Sequence, residues 1–291
     1  MSGRWRRIGF LAVAALVGGV GHGFAQPPKE TPADREQIEA ALKLTQAAAA
    51  EYEIQVAGED KPLNLRRDPI LRWSNPTVGV LHGNVFLWTR GDQPLVVASL
   101  HKWFSPFTHM THEFQSLSEE PISAKFHGEP VWKTNEPGLR FVDLPKAPAP
   151  AVTEAQRFFQ AKELAKDFTT TMKEKSGTLV ELRLLTQPVY RYAAPKKGIH
   201  SGSLFAFVQG TDPELFLLID ARGENAATAR WKYAVTRMTN VDLWLHHRKE
   251  EVWAAKYLTI RVVNDHRQPY TRFNFDEIPE FLKGETAKSK K

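Results

Sequence analysis

The chain has 291 residues, of which 39 are basic and 33 acidic, and it contains no cysteine. The net positive charge comes entirely from the two ends of the chain. The first 25 residues contain three arginines and no acidic residue, and the last nine contain four lysines and one glutamate. The remainder holds 32 basic and 32 acidic residues. A neutral body argues against a nucleic-acid groove, which needs clustered cations. The lack of cysteine excludes disulfides and a lipid-modified N-terminal cysteine.

The first 26 residues have the pattern of an export signal. Three arginines precede the apolar residues 8–20, and Gly23 and Ala25 supply the small residues of a cleavage site. The apolar stretch is shorter than the ~20 residues that a membrane span needs. The sequence therefore predicts cleavage near Ala25 or Gln26, no transmembrane segment in the mature chain, and a periplasmic or extracellular location.

One helix and a series of strands are predicted for the first half of the mature chain. The helix should run from residue 33 to about 53, with Thr31 or Asp34 near its start, because alanine is abundant and apolar residues recur at helical spacing. Segments rich in valine and aromatic residues then predict strands. They are residues 70–73, 78–88, 95–101, 112–117, 122–126 and 139–144.

The second half predicts the same order of elements. A helix is expected over 153–175, with Thr153 as its N-cap, Gln156 at the capping-box spacing and Ser176-Gly177 at its end. The predicted strands are residues 180–185, 189–192, 203–209, 215–220, 231–236, 241–246, 251–253 and 258–263. Gly91-Asp92 and Gly210-Thr211 are predicted to turn the central hairpin of each half.

The two halves also match each other along the chain. At an offset of 119, residues 69–94 align with 188–213 without a gap and with eight identities, where chance gives about one or two. The match continues more weakly at an offset of 121, where Trp132 faces Trp253. Coincidence among turn residues is the alternative, since glycine and proline recur wherever strands turn.

These patterns favour an α+β fold made of two tandem related modules. Each module would have one N-terminal helix followed by an antiparallel β-sheet. The first would span 33–145 and the second 151–275, with a Pro/Ala connector at 146–150 and a basic tail at 283–291. The modules could be separate beads, or they could pack as a pseudo-symmetric pair, which would hide edge strands.

A histidine-rich segment is the candidate metal site. His109, His112 and Glu113 lie close together, and His101 could join them from a neighbouring strand. Two imidazoles and a carboxylate are a common catalytic zinc set. On an extended strand, however, His109 and Glu113 share one face while His112 points to the other. Structural, hydrogen-bonded histidines are therefore the alternative to a site for zinc or another divalent metal.

Two arginine–aromatic pairs are the candidate ligand-binding residues. Arg72-Trp73 and Arg191-Tyr192 occupy matching positions in the two halves. An arginine beside an aromatic ring can bind a carboxylate or phosphate while the rings stack. In the alternative interpretation, the arginine points outward from a strand and the aromatic residue packs inward.

Two segments, 83–89 and 112–118, resemble those of exported bacterial proteins of unknown function. The resemblance implies no activity and no site residues. Together with the export signal and the neutral body, the patterns favour a non-catalytic exported binding or scaffold protein. Its partner would be an unknown protein, a cell-wall polymer or a small ligand. The alternative is a metal-assisted hydrolase that uses the His/Glu cluster.

Overall fold

The computed structural model describes residues 31–275, and the predicted signal at 1–26 and basic tail at 283–291 lie outside them. The described chain is α+β and consists mostly of antiparallel strands, as the sequence predicts. It contains helices α1 (Pro32–Ala50), α2 (Glu154–Ala165) and α3 (Ile260–Val263), and one short 3₁₀ turn. No helix within 31–275 is long and apolar enough to cross a bilayer.

Helix α1 begins at a complete capping box. The Thr31 hydroxyl accepts a hydrogen bond from the Asp34 N–H at 3.2 Å, and the Asp34 carboxylate accepts one from the Thr31 N–H at 2.8 Å. This reciprocal pair satisfies two N–H groups that a helix start would leave open. The helix ends at Ala50, before the predicted residue 53, because the chain becomes a strand at Tyr52.

Helix α2 starts as predicted but is much shorter. The Thr153 hydroxyl accepts from the Gln156 N–H at 3.3 Å. The prediction of a helix to residue 175 is wrong, because Phe168–Lys173 is a strand whose alternate residues are buried. A six-residue alternation directly after a helix is too short to separate from helical spacing. Ser176-Gly177 lies in the turn that follows this strand.

Eighteen strands are present in the described chain. The first nine are β1 (Tyr52–Val56), β2 (Asn64–Leu65), β3 (Leu71–Ser74), β4 (Val80–Arg90), β5 (Gln93–Ser105), β6 (Met110–Ser116), β7 (Ile122–Phe126), β8 (Glu129–Lys133) and β9 (Val142–Asp143). The others are β10 (Phe168–Lys173), β11 (Leu179–Leu184), β12 (Tyr190–Ala194), β13 (Ile199–Gln209), β14 (Asp212–Arg222), β15 (Arg230–Arg237), β16 (Asp242–His247), β17 (Glu250–Ala255) and β18 (Tyr270–Phe275). The strand predicted at 258–263 is wrong, because α3 forms there, and β1, β2, β8, β10 and β18 were not predicted.

The strands form three antiparallel sheets. The largest has the order β17-β16-β10-β11-β13-β14-β15-β9, with β12 also paired to β13. The second has the order β18-β6-β5-β4-β2, with β3 also paired to β4, and the third has the order β1-β7-β8. The predicted turns at Gly91 and Gly210 are confirmed, since both glycines have positive φ, 58° and 62°, and each joins a paired hairpin.

The two halves exchange edge strands. Strand β9, at the end of the first half, pairs with β15 of the second half, placing Val142 beside Tyr233. Strand β18, at the end of the second half, pairs with β6 of the first half, placing Phe273 beside His112. Each crossing strand extends the sheet of the other half and covers one of its open edges.

Three hydrophobic cores hold these layers together. One lies between α1, the three-stranded sheet and the six-stranded sheet, around Trp88 and Phe114. A second lies under α2, around Phe205 and Leu217. The third joins the facing surfaces of the two large sheets and includes Leu87 and Phe216, among other residues of both halves. Because each buried side chain of this size contributes about 1.5–3 kcal/mol, the shared core joins the halves firmly.

Candidate functional site

His112 is a buried structural histidine. Its side chain lies on the face of β6 that is covered by β1 and β7, and a 2.9 Å hydrogen bond joins its Nδ1 to the Tyr52 hydroxyl. The rings of Phe126 and Phe275 pack against it, with centroids 6.0 and 4.6 Å away. Burial lowers the pKa of His112 to about 3, so that the imidazole is neutral at ordinary pH.

The other predicted metal ligands lie elsewhere. Glu113 points to the opposite face of β6, where it accepts a hydrogen bond from the Tyr270 hydroxyl at 3.0 Å. His101 packs against Trp73 with ring centroids 5.1 Å apart, and His109 lies among surface aromatic rings. Burial raises the pKa of Glu113 and lowers that of His101 to about 3.

These four side chains do not form the predicted metal site. Across residues 31–275, no three histidine, aspartate or glutamate side chains are placed to hold a metal ion. The physical reason is the strand alternation of β6, which sends His112 into one core and Glu113 to the other face. A zinc-dependent hydrolase site at this cluster is therefore not supported by the geometry.

The arginine and aromatic residues of each predicted pair are separated by the same alternation. Trp73 is buried and its indole N–H donates to Ser99 Oγ at 2.9 Å, whereas Arg72 is exposed. Tyr192 is also buried, while the exposed Arg191 donates to Glu154 at 2.9 Å. The two aromatic residues both belong to the core between the large sheets. The adjacent residues of each pair do not form a common surface.

A buried polar cluster between the two halves was not predicted from the sequence. The Tyr192 hydroxyl donates to Asp220 Oδ1 at 2.6 Å, and Arg222 Nε donates to Asp220 Oδ2 at 3.0 Å. Arg222 also donates to Glu119 of the first half at 2.6 Å and lies 3.4 Å from the ring centre of Phe141. Burial raises the pKa of Asp220 to about 6, although the neighbouring Arg222 opposes this shift. The cluster ties β12 and β14 to the loops of the first half.

A second polar contact joins the halves at the hairpin turns. The Thr211 hydroxyl donates to the Ser74 carbonyl at 2.9 Å and accepts from the Ser74 N–H at 3.0 Å. Asn75 approaches Asp212 at 3.5 Å. Burial raises the pKa of Asp212 well above its usual value, and a nearby carboxylate, Glu214, raises it further.

A groove between the halves, here named the junction groove, is a candidate ligand cavity. Its main part has a volume of about 620 Å³ and lies between the crossing segment 136–142 and strands β15 and β17. A second part of about 220 Å³ extends toward Arg237 and Tyr270. The two parts share Gly138, Val235 and Trp253, and they therefore form one continuous groove.

Trp253 lies at the middle of the junction groove. It is only partly buried, and its indole N–H makes no hydrogen bond to another residue in the described part of the chain. Apolar walls come from Val235 and Val252, and the charged lining residues are Glu119, Glu136, Arg140 and Arg237. Glu119 is already engaged by Arg222. An apolar surface with a few polar groups is the usual composition of a ligand site.

Comparison with known proteins adds no relative: the chain matches no protein-family model, and no curated protein or solved structure is significantly similar to it. The fold and the groove are therefore interpreted from the residues of this chain alone. The groove was not predicted, although the match of Trp132 with Trp253 was visible in the sequence. The two tryptophans differ because the main chain at residue 268 covers Trp132, whereas Trp253 lines the groove.

Proposed function

We propose that this chain is an exported, non-catalytic binding protein whose ligand occupies the junction groove. The observation that carries the proposal is the Trp253 indole N–H, which has no hydrogen-bond partner among residues 31–275 and lies in a continuous groove between the halves. The groove lining includes two glutamates but no serine, cysteine or histidine among the described residues. The pattern of residues 1–26 and the resemblance to exported bacterial proteins support a periplasmic or extracellular location.

The architecture behind this function is proposed to be a duplication. The β4–β5 pair has a register shift after Trp88, and the β13–β14 pair has one after Phe207. These two residues correspond at the offset of 119. In the β7–β8 pair, Trp132 lies opposite Ala124 and a bulge follows. Trp253 lies opposite Leu245 in the β16–β17 pair, where a bulge also follows, at the offset of 121. Bulges break a ladder at specific positions, so their recurrence supports common ancestry of the halves.

The exchange of edge strands supports a close-packed, pseudo-symmetric pair. In this proposal, residues 33–145 and 151–275 are the two modules, and 146–150 connect them. Val142 of β9 lies beside Tyr233, and Phe273 of β18 lies beside His112. Tyr233 and His112 are themselves related by the offset of 121. This arrangement accounts for a groove at the junction, because each module has a space into which the crossing segment of the other module enters.

Native mass spectrometry of the mature protein, purified from an exporting host, tests the proposed function. We expect a retained organic mass in the wild type and in Tyr257→Ala, and its loss in Trp253→Ala. Tyr257 is a matched control because it is an exposed aromatic residue, 49% accessible, that lines a different cavity. A bare polypeptide mass for the wild type, or equal retention by both variants, would count against a ligand in the junction groove.

A further inference from the structure

The counterpart of the junction groove in the first half is filled by the chain itself. Four consecutive carbonyls, of residues 266–269, each accept a hydrogen bond from the first half. The N–H groups of Lys133, Asn135 and Ser116 donate to the carbonyls of residues 266, 267 and 269 at 2.9, 3.0 and 2.9 Å. The Trp132 indole N–H donates to the carbonyl of residue 268 at 2.8 Å. The main chain of residues 266–269, which includes a turn closed by the Gln268 N–H to the Asp265 carbonyl at 3.0 Å, therefore lies across Trp132.

The second half has the corresponding hydrogen-bond donors but lacks a corresponding main-chain segment that accepts from them. At the offset of 121, the donors are Trp253 Nε1 and the N–H groups of Ala254, Lys256 and Arg237. Outside the strand ladders, none of these three N–H groups donates to a carbonyl of residues 31–275. The Trp253 indole also lacks a partner there. Of these donor residues, Trp253 and Arg237 line the junction groove, whereas their counterparts Trp132 and Ser116 donate to a polypeptide.

The difference has a physical cause in the lengths of the two crossings. Between β17 and β18 the chain has fourteen residues, 256–269, which include α3. Between β8 and β9 it has only eight, 134–141. The longer crossing supplies the four carbonyls that cover Trp132, whereas the shorter one lines the wall of the groove beside Trp253. Within residues 31–275, the second half is therefore left with no carbonyl that accepts from the Trp253 indole N–H.

We infer that the junction groove binds a polypeptide segment of a partner protein, with a main-chain carbonyl accepting from the Trp253 indole N–H. This inference rests on the proposed function and names the class of its ligand. Main-chain hydrogen bonds supply affinity when extended peptides bind beside strands. The apolar walls at Val235 and Val252 receive side chains of the bound segment.

The probe is a capped heptapeptide with the sequence of residues 264–270, because this segment fits the filled counterpart. The mature protein, labelled with ¹⁵N, is titrated while the indole N–H resonances are followed, and the Trp253→Phe variant assigns the Trp253 resonance. We expect a saturable shift of the Trp253 resonance, while that of the covered Trp132 stays unchanged. Fluorescence anisotropy of the labelled peptide should show at least a tenfold weaker affinity for Trp253→Phe and an unchanged affinity for Tyr257→Phe.

Three results would overturn the inference. One is peptide binding that leaves the Trp253 resonance unmoved, and another is equal affinity for Trp253→Phe, with equal melting temperatures showing that the variant is folded. The third is failure of both this peptide and a random heptapeptide library to bind. If native mass spectrometry then shows a non-peptide ligand that Trp253→Ala loses, the proposed function stands without this inference. If no retained mass depends on Trp253, the proposed function fails as well.

Discussion

His112 should make the folded protein sensitive to acid. Burial lowers the pKa of His112 to about 3 in the folded state, whereas the ordinary value is 6.5. Below pH 6.5 the unfolded chain binds a proton that the native state does not bind, so the free energy of unfolding falls as the pH falls toward 3. The loss from this group is about 2 kcal/mol at pH 5 and about 3 kcal/mol at pH 4, relative to pH 7.5.

Urea unfolding followed by tryptophan fluorescence, at pH 5.0 and pH 7.5, measures this contribution. His112→Gln should be less stable than the wild type at pH 7.5, because the Tyr52 hydroxyl loses its buried partner and the aromatic packing is disturbed. When the pH is lowered from 7.5 to 5.0, however, the variant should lose about 2 kcal/mol less stability than the wild type. His246→Gln, at a more accessible position on β16, is the control.

The comparison between variants is essential, because other buried groups titrate in the same range. The raised pKa of Asp220, for example, makes stability fall as the pH rises. The reasoning would be refuted if His112→Gln kept the full pH dependence of the wild type. It would also be refuted if His246→Gln reduced the dependence as much as His112→Gln does.

The remaining predictions concern the junction and the cores. Asp220→Asn should make the free energy of unfolding less dependent on pH, by about 2 kcal/mol between pH 4 and 7, because the folded pKa of about 6 lies above the ordinary 3.8; urea titrations at several pH values measure this. Gly83→Ala should lower the free energy of unfolding by about 1–3 kcal/mol or more, because the new side chain collides with the Trp73 ring, and an unchanged denaturation midpoint would contradict it. In thermal melts, Trp132→Phe should lower the free energy of unfolding by about 1–3 kcal/mol, because the hydrogen bond to the carbonyl of residue 268 is lost. Trp253→Phe should lower it by less than about 0.5 kcal/mol. Equal losses for the two variants would show that both indoles are engaged.

Local signals in the sequence determined much of the strand and helix pattern. Thr153 caps α2 as predicted, because a cap depends only on neighbouring residues. Gly91 and Gly210 turn their hairpins, because positive φ suits glycine at a two-residue turn. The same local reasoning placed β7 over residues 122–126. It failed at 168–173, where a short strand follows directly on a helix and its identity depends on pairing with β11 and β16.

The candidate site, by contrast, was decided by tertiary structure. The histidine segment contained suitable ligand types, but the alternation of β6 and the two cores on either side of it sent His112 and Glu113 apart. Trp132 and Trp253 match in sequence, yet one is covered by a carbonyl and the other faces a groove. That difference arises because two crossing segments of unequal length pass between the halves. Capping and turn formation are local and were therefore readable in the sequence, whereas the space left between packed layers depends on every contact that positions them.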